Sequence, residues 1–255
     1  MIHRFFVEPN QISDKSITIT GSDVQHILKV LRLEEGAILN IADGTGMEYK
    51  GSIVDKGKDF VRLSVIDRYY NSTESPVEVT LLQGLPKGDK MELIIQKCTE
   101  LGVKKFVPVA CQRSIVKLRP EKAKQKQARW QKISEEAAKQ SRRSLIPEIT
   151  PVQTLEEALK NIKQDEALLI PWEEEKANNL KDALQPLKGK CRKVSILIGP
   201  EGGLTCEEVA LAKAAGGSIV TLGPRILRTE TAGMVVVTMV LYELGDLGGT
   251  PCGTR

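Results

Sequence analysis

Hydrophobic positions along this chain follow two regimes. Over residues 3–7, 37–42, 48–54 and 60–66 apolar and polar residues alternate with period two, as in strands with one buried face, and 22–31 has helical spacing. These elements predict a small β domain. The polar segment Tyr70-Asn71-Ser72-Thr73-Glu74-Ser75-Pro76 ends in proline and reads as a linker, which sets a boundary near residue 74. Beyond it, apolar runs at 77–82, 105–110, 167–170, 194–198 and 218–222 are separated by helical stretches, and 89–101 places Met91, Ile94, Ile95, Cys98 and Leu101 on one helical face. That alternation predicts an α/β domain, a parallel sheet covered by helices on both sides. The charged stretch 120–143 is helical by composition, and the glycine-rich tail 245–255 is expected to be disordered.

Composition narrows the function. With 255 residues and 41% apolar content the chain can bury a sizeable core, and no apolar run reaches the roughly 20 residues that span a bilayer, so a cytoplasmic protein without membrane attachment is expected. The five cysteines (Cys98, Cys111, Cys191, Cys206, Cys252) lack metal-ligand spacing, which argues against a zinc site and a disulfide framework. Only His3 and His26 are histidines, both outside the later α/β segment, and this disfavours triads and His-bound metals. The net charge is only +4, yet residues 113–143 hold eleven basic side chains against three acidic ones. Such a run is either a solvated helix face or a contact for an anionic partner.

In an open α/β sheet, ligands bind beyond the carboxyl ends of the strands. Two loops stand out there. One is Gly199-Pro200-Glu201-Gly202-Gly203-Leu204, followed by a capping box of Thr205 and Glu208; the other is Gly223-Pro224-Arg225-Ile226-Leu227-Arg228-Thr229-Glu230-Thr231-Ala232. Phosphate-binding patterns are absent, since Gly84-Leu85-Pro86-Lys87-Gly88-Asp89-Lys90 lacks both the Walker spacing and its hydroxyl residue. Spacing alone supports a ligand in a glycine-lined crevice without naming it.

At these loops the sequence resembles the bacterial 16S rRNA uridine-N3 methyltransferases of the SPOUT superfamily. The likeness extends to Lys90-Met91-Glu92, Gln96-Lys97, Glu100-Leu101-Gly102-Val103, Arg113, Trp130-Gln131-Lys132-Ile133 and Arg4-Phe5-Phe6. It implies a PUA-like β-barrel RNA-binding domain at 1–73 and a SPOUT-type parallel sheet with a C-terminal trefoil knot at 74–244. It further implies S-adenosylmethionine as cofactor, 16S rRNA of the small subunit as partner, a homodimer and no metal. Cofactor contacts are expected at Leu197, Ile198, Gly199, Pro200, Glu201, Gly202, Leu222, Gly223, Ile226, Leu227, Thr231 and Ala232.

Uracil N3 carries a proton and attacks poorly until that proton leaves, so a base or a cation that stabilises the uracilate should be present. Arg228 and Arg113 suit the cationic role, with Arg225 beside them. Glu230 is taken as catalytic, although it and Glu201 equally suit a helix N-terminus. RNA contacts are expected at Arg4, Lys29, Arg32, Lys87, Lys90, Lys122, Lys124, Arg142 and Arg143. Pro171-Trp172-Glu173 reads either as a lid or as packing. Ribose 2′-O-methylation, tRNA modification and a non-catalytic scaffold are the alternative readings.

Overall fold

A computed structural model describes residues 3–70, 73–115 and 119–249, so Lys117 of the basic run and positions 250–255 of the tail lie outside the described residues. Contacts divide the chain into two compact units, 1–74 with 138–146, and 75–137 with 147–255.

The first unit is a five-stranded mixed sheet with order β1-β3-β4-β5-β2. Its elements are β1 (His3–Phe6), β2 (Ser16–Thr20), the short helix α1 (Ser22–Gln25), β3 (Ile38–Ala42), β4 (Met47–Lys56) and β5 (Phe60–Tyr70). β1 runs parallel to β3, and the other pairings are antiparallel. Period-two alternation sends Ile17 and Ile19 of β2, Leu39 and Ile41 of β3, and Val61 and Leu63 of β5 into one core. β2 was absent from the expected strands, although Ser-Ile-Thr-Ile-Thr alternates along all five residues. The expected helix at 22–31 is α1 continued by a π turn at His26–Val30, where Leu31 N donates to His26 O. The wider turn buries Ile27 while Lys29 and Val30 stay exposed.

Segment 138–146 belongs to this unit through a buried ion pair. Arg143, with a side chain only 5% exposed, donates from Nε and Nη2 to Glu74, and Glu74 Oε1 also accepts from the Ser144 and Leu145 amides. Paired and multiply hydrogen-bonded, the buried Arg143 and the part-buried Glu74 meet the condition under which such a pair is tolerated.

The second unit is built on β6 (Glu78–Gly84), β7 (Lys105–Ala110), β8 (Glu148–Ile149), β9 (Gln153–Thr154), β10 (Ala167–Pro171), β11 (Lys193–Ile198) and β12 (Ser218–Val220). All pairings are parallel, in the order β12-β10-β11-β6-β7-β8 with β9 also on β7. The helices are α2 (Lys90–Leu101), α3 (Pro120–Gln140), α4 (Leu155–Lys160), α5 (Leu180–Leu184), α6 (Cys206–Ala214) and α7 (Thr229–Glu243). Two apolar clusters form, as a doubly covered sheet requires. One joins Val79, Leu81 and Ile196 with Ile94, Trp130 and Val237; the other joins Leu82, Val109 and Leu197 with Leu155 and Val209.

After the edge strand β12 the chain does not end at the edge. It passes back across β10 and β11, and α7 packs on α2, β6 and β11 in the interior of the sheet. This return positions the site, because it lays the 221–229 segment beside the loop that leaves β11. Among the described residues no helix is long and apolar enough to cross a membrane, and no cluster of metal-binding side chains occurs.

Candidate active site

A cleft lies at the carboxyl ends of β10, β11 and β12, where an open α/β sheet offers its loops. The loop after β10 brings Pro171, Trp172 and Glu173; the loop after β11 brings Ile198, Gly199, Pro200, Gly203 and Leu204. The loop after β12 supplies Thr221 through Leu227, and α7 adds Thr229 and Ala232.

Glycine is required at two places here. A Cβ on Gly203, at φ +71°, would fall 2.2 Å from Glu173 Oε1; one on Gly84 would fall 2.6 Å from Pro200 N, because the end of β6 abuts the 199–200 backbone. At Gly84 the backbone itself leaves no space for a side chain, whereas at Gly203 the Glu173 carboxylate can swing aside and it is the left-handed φ that favours glycine. The loop then enters α6 through Thr205, whose hydroxyl accepts from Glu208 N while the Glu208 carboxylate accepts from Thr205 N. Glu208 also accepts from Gln112 N at 2.8 Å, which ties the 111–114 turn to the loop.

Arg113 uses that anchor. Its Nη1 donates to Gly202 O at 3.0 Å and to Leu204 O at 3.4 Å, so the guanidinium braces the loop from behind. Glu201 turns away from the cleft and accepts from Lys87 N and from Lys90 Nζ at 2.9 Å. Partial burial would raise the Glu201 carboxyl, but the Lys90 ammonium and the Lys87 amide outweigh it and hold the group below its ordinary range. The same hydrogen bond holds Lys90 above its ordinary range. Glu230, in the first turn of α7, approaches Lys90 at 3.4 Å, and its buried Oε2 makes no hydrogen bond.

Of the residues expected to hold the cofactor, Ile198, Gly199, Pro200, Leu222, Gly223, Ile226, Leu227 and Ala232 line the cleft. Leu197 faces the core below it, and Glu201, Gly202 and Thr231 stand outside the lining. Arg225 lines the cleft and Arg228 caps α7; both are exposed, and neither side chain makes a hydrogen bond or ion pair among the described residues. Ile226 is 88% exposed at the mouth. The indole Nε1 of Trp172 is buried without a partner, an unsatisfied donor beside the cleft.

Sequence reasoning passed over Gln83, which is fully buried and reaches Thr229. Its signal was available, since it is a lone amide in an otherwise apolar strand end, Leu81-Leu82-Gln83-Gly84.

The expected RNA contacts divide into two groups. Lys29, Arg32, Lys87, Lys122, Lys124 and Arg142 are exposed. Arg4 is instead paired with Glu48, Lys90 with Glu201, and Arg143 with Glu74. Burial lowers the Arg4 pKa from its ordinary value, against the opposing pull of Glu48.

A parallel sheet whose C-terminal segment returns across its edge, with a glycine-lined cleft at that crossing, defines a knotted methyltransferase of the SPOUT class. The profile of the RNA methyltransferase domain matches residues 73–241, and that of the RNA methyltransferase PUA domain matches 19–66. The ribosomal RNA small subunit methyltransferase E of Bacillus subtilis is 38% identical, covering 97% of this chain and 99% of its own; that of Synechocystis is 32% identical, covering 94% and 77%. A crystal structure of the Neisseria gonorrhoeae protein of that name, bound to S-adenosyl methionine, superposes with a TM-score of 0.84 at 31% identity, over 97% of this chain and all of the other. The chain belongs to the ribosomal RNA small subunit methyltransferase E family.

Proposed function

We propose that the protein transfers a methyl group from S-adenosylmethionine to N3 of a specific uridine in the 16S rRNA of the small ribosomal subunit. The observation that carries this is the cleft itself: a glycine-lined cradle with Arg225 in its lining and the exposed Arg228 at the start of α7, in a chain similar throughout its length to ribosomal RNA small subunit methyltransferases E. Close backbone approach, apolar walls and the unpartnered Trp172 donor fit a nucleoside-like cofactor. When bound, the cofactor supplies an electrophilic methyl group on a sulfonium.

The protein's own task is alignment and charge. Residues 198–200, 222–223 and 226–227, with Ala232, hold the cofactor; Leu197, Glu201, Gly202 and Thr231 support that loop from outside the lining. Arg228 stabilises the uracilate that forms when N3 loses its proton, and Arg113 keeps the loop in register. Both Glu201 oxygens accept hydrogen bonds, so it is a weak base, and the proton passes instead to Glu230, in the first turn of α7 beside Lys90.

Residues 1–73 form the RNA-binding domain and 74–244 the catalytic domain, with 245–255 as a tail. The exposed cations Lys29, Arg32 and Arg142 of the first unit and Lys87, Lys122 and Lys124 of the second meet phosphates, with Arg4, Lys90 and Arg143 contributing from within ion pairs. The protein works in the cytoplasm as a homodimer, joined through the face of α7 that exposes Met239 and Tyr242.

The test is to incubate the protein with S-adenosylmethionine and undermethylated small subunits, digest the rRNA and analyse nucleosides by mass spectrometry. N3-methyluridine is expected. Methylation confined to ribose or tRNA would move the acceptor, and no transfer to any RNA would refute the reading.

A further inference from the structure

A buried side-chain relay joins the three chain segments that meet at the cleft. Gln83, at the end of β6, is fully buried, and its Nε2 donates both to Gly84 O at 3.1 Å and to Thr229 Oγ1 at 2.9 Å. Having accepted that bond, the Thr229 hydroxyl donates to Gly199 O at 2.6 Å. The direction is chemically determined. Reversing the amide would set Gln83 Oε1 against Gly84 O, and the Thr229 proton would be drawn away from Gly199. Gln83 Oε1 is left without a partner, with Gly233 giving it room. A buried unsatisfied acceptor destabilises the fold, so a side chain that leaves one is expected to serve something other than stability.

Gly199 opens the loop that lines the cleft, and β6 already touches that loop where Gly84 meets Pro200. We propose that Gln83 is a positioning residue that acts through Thr229, fixing the Gly199 peptide and thereby the affinity of the cleft for S-adenosylmethionine. It rests on the reading of the cleft as the cofactor site. Gln83 itself touches no ligand: it lies behind the wall and is not part of the lining.

The experiment compares wild type with Gln83→Met, Thr229→Val and Thr229→Ser, reading the Kd for S-adenosylmethionine by calorimetry without RNA, together with thermal unfolding and kcat at saturating cofactor. Gln83→Met and Thr229→Val each remove one link at nearly constant volume and should weaken binding by about tenfold, the scale of one lost buried hydrogen bond. Thr229→Ser keeps the hydroxyl and should restore affinity to within about threefold of wild type. If Gln83→Met does not fold, Gln83→Leu takes its place with the same expected loss, because Thr229 itself lines the cleft and its variants alone do not isolate the amide. Wild-type Kd in Gln83→Met or Thr229→Val, even with a lowered melting temperature, would overturn the relay and leave a merely structural amide. Equal loss in Thr229→Val and Thr229→Ser would overturn it too. Absence of binding by wild type would instead remove the cofactor reading, and the relay with it.

Discussion

The chemistry of this site is divided among single side chains by what already holds them. Arg113 is committed to two carbonyls and Lys90 to carboxylates, whereas the side chains of Arg225, in the cleft lining, and Arg228, at the start of α7, stay uncommitted. Arg228→Ala should therefore lower methyl transfer by about 10²–10³-fold, as for loss of one preorganised charge-stabilising donor, with cofactor Kd nearly unchanged. Single-turnover rates and calorimetry check this; full turnover would remove the role. Glu201 makes a second prediction. Its folded pKa lies below the ordinary 4.5, so the stability it contributes is present above about that pH and is lost as pH falls through the depressed value. The gap in melting temperature between wild type and Glu201→Gln should thus be constant near neutrality and close at acid pH.

Among the elements, α3 and α7 show how one helix serves two purposes. α3 buries Trp130, 2% exposed, in the core of the second unit, and Lys126 lies over its ring at 5.8 Å. Lys122 and Lys124, four and two positions before Lys126, are exposed to solvent. Reversing those two charges to Glu should weaken RNA binding and flatten its salt dependence, since phosphate contacts release counterions, while cofactor affinity stays intact. Filter binding across a salt series reads both effects, and parallel loss of cofactor and RNA binding would point to misfolding instead. α7 places Val236, Val237, Val240 and Leu241 in the core, which is the burial its apolar sequence called for.

For the whole molecule, the proposed dimer rests on the surface left by α7. Met239 and Tyr242, three residues apart on one helical face, are 43% and 68% exposed. Sedimentation of wild type should give twice the monomer mass, and Met239→Lys with Tyr242→Lys should give the monomer. A wild-type monomer at micromolar concentration would end the dimer proposal. The contact units carry a related lesson: 138–146 lies with 1–74 because Arg143 and Glu74 satisfy each other in a buried setting.

The sequence by itself determined the local elements and the ligand loops. Period-two alternation specifies strands, the apolar runs specify a covered parallel sheet, and the two glycine loops are legible because glycine allows close backbone approach after β11 and a positive φ after β12. Most cleft-lining residues between 198 and 232 lie in those two loops, and the family resemblance rather than the spacing named the cofactor contacts among them. Tertiary structure decided the rest, because it depends on contacts distant in sequence. The return of α7 to β6 has no local signature, since chains ordinarily stay unknotted. Nor does periodicity reveal that Arg143 is consumed by Glu74, 69 positions away, or that Gln83 finds Thr229 across 146. Which polar side chains remain available for chemistry is settled only when the chain has brought their partners together.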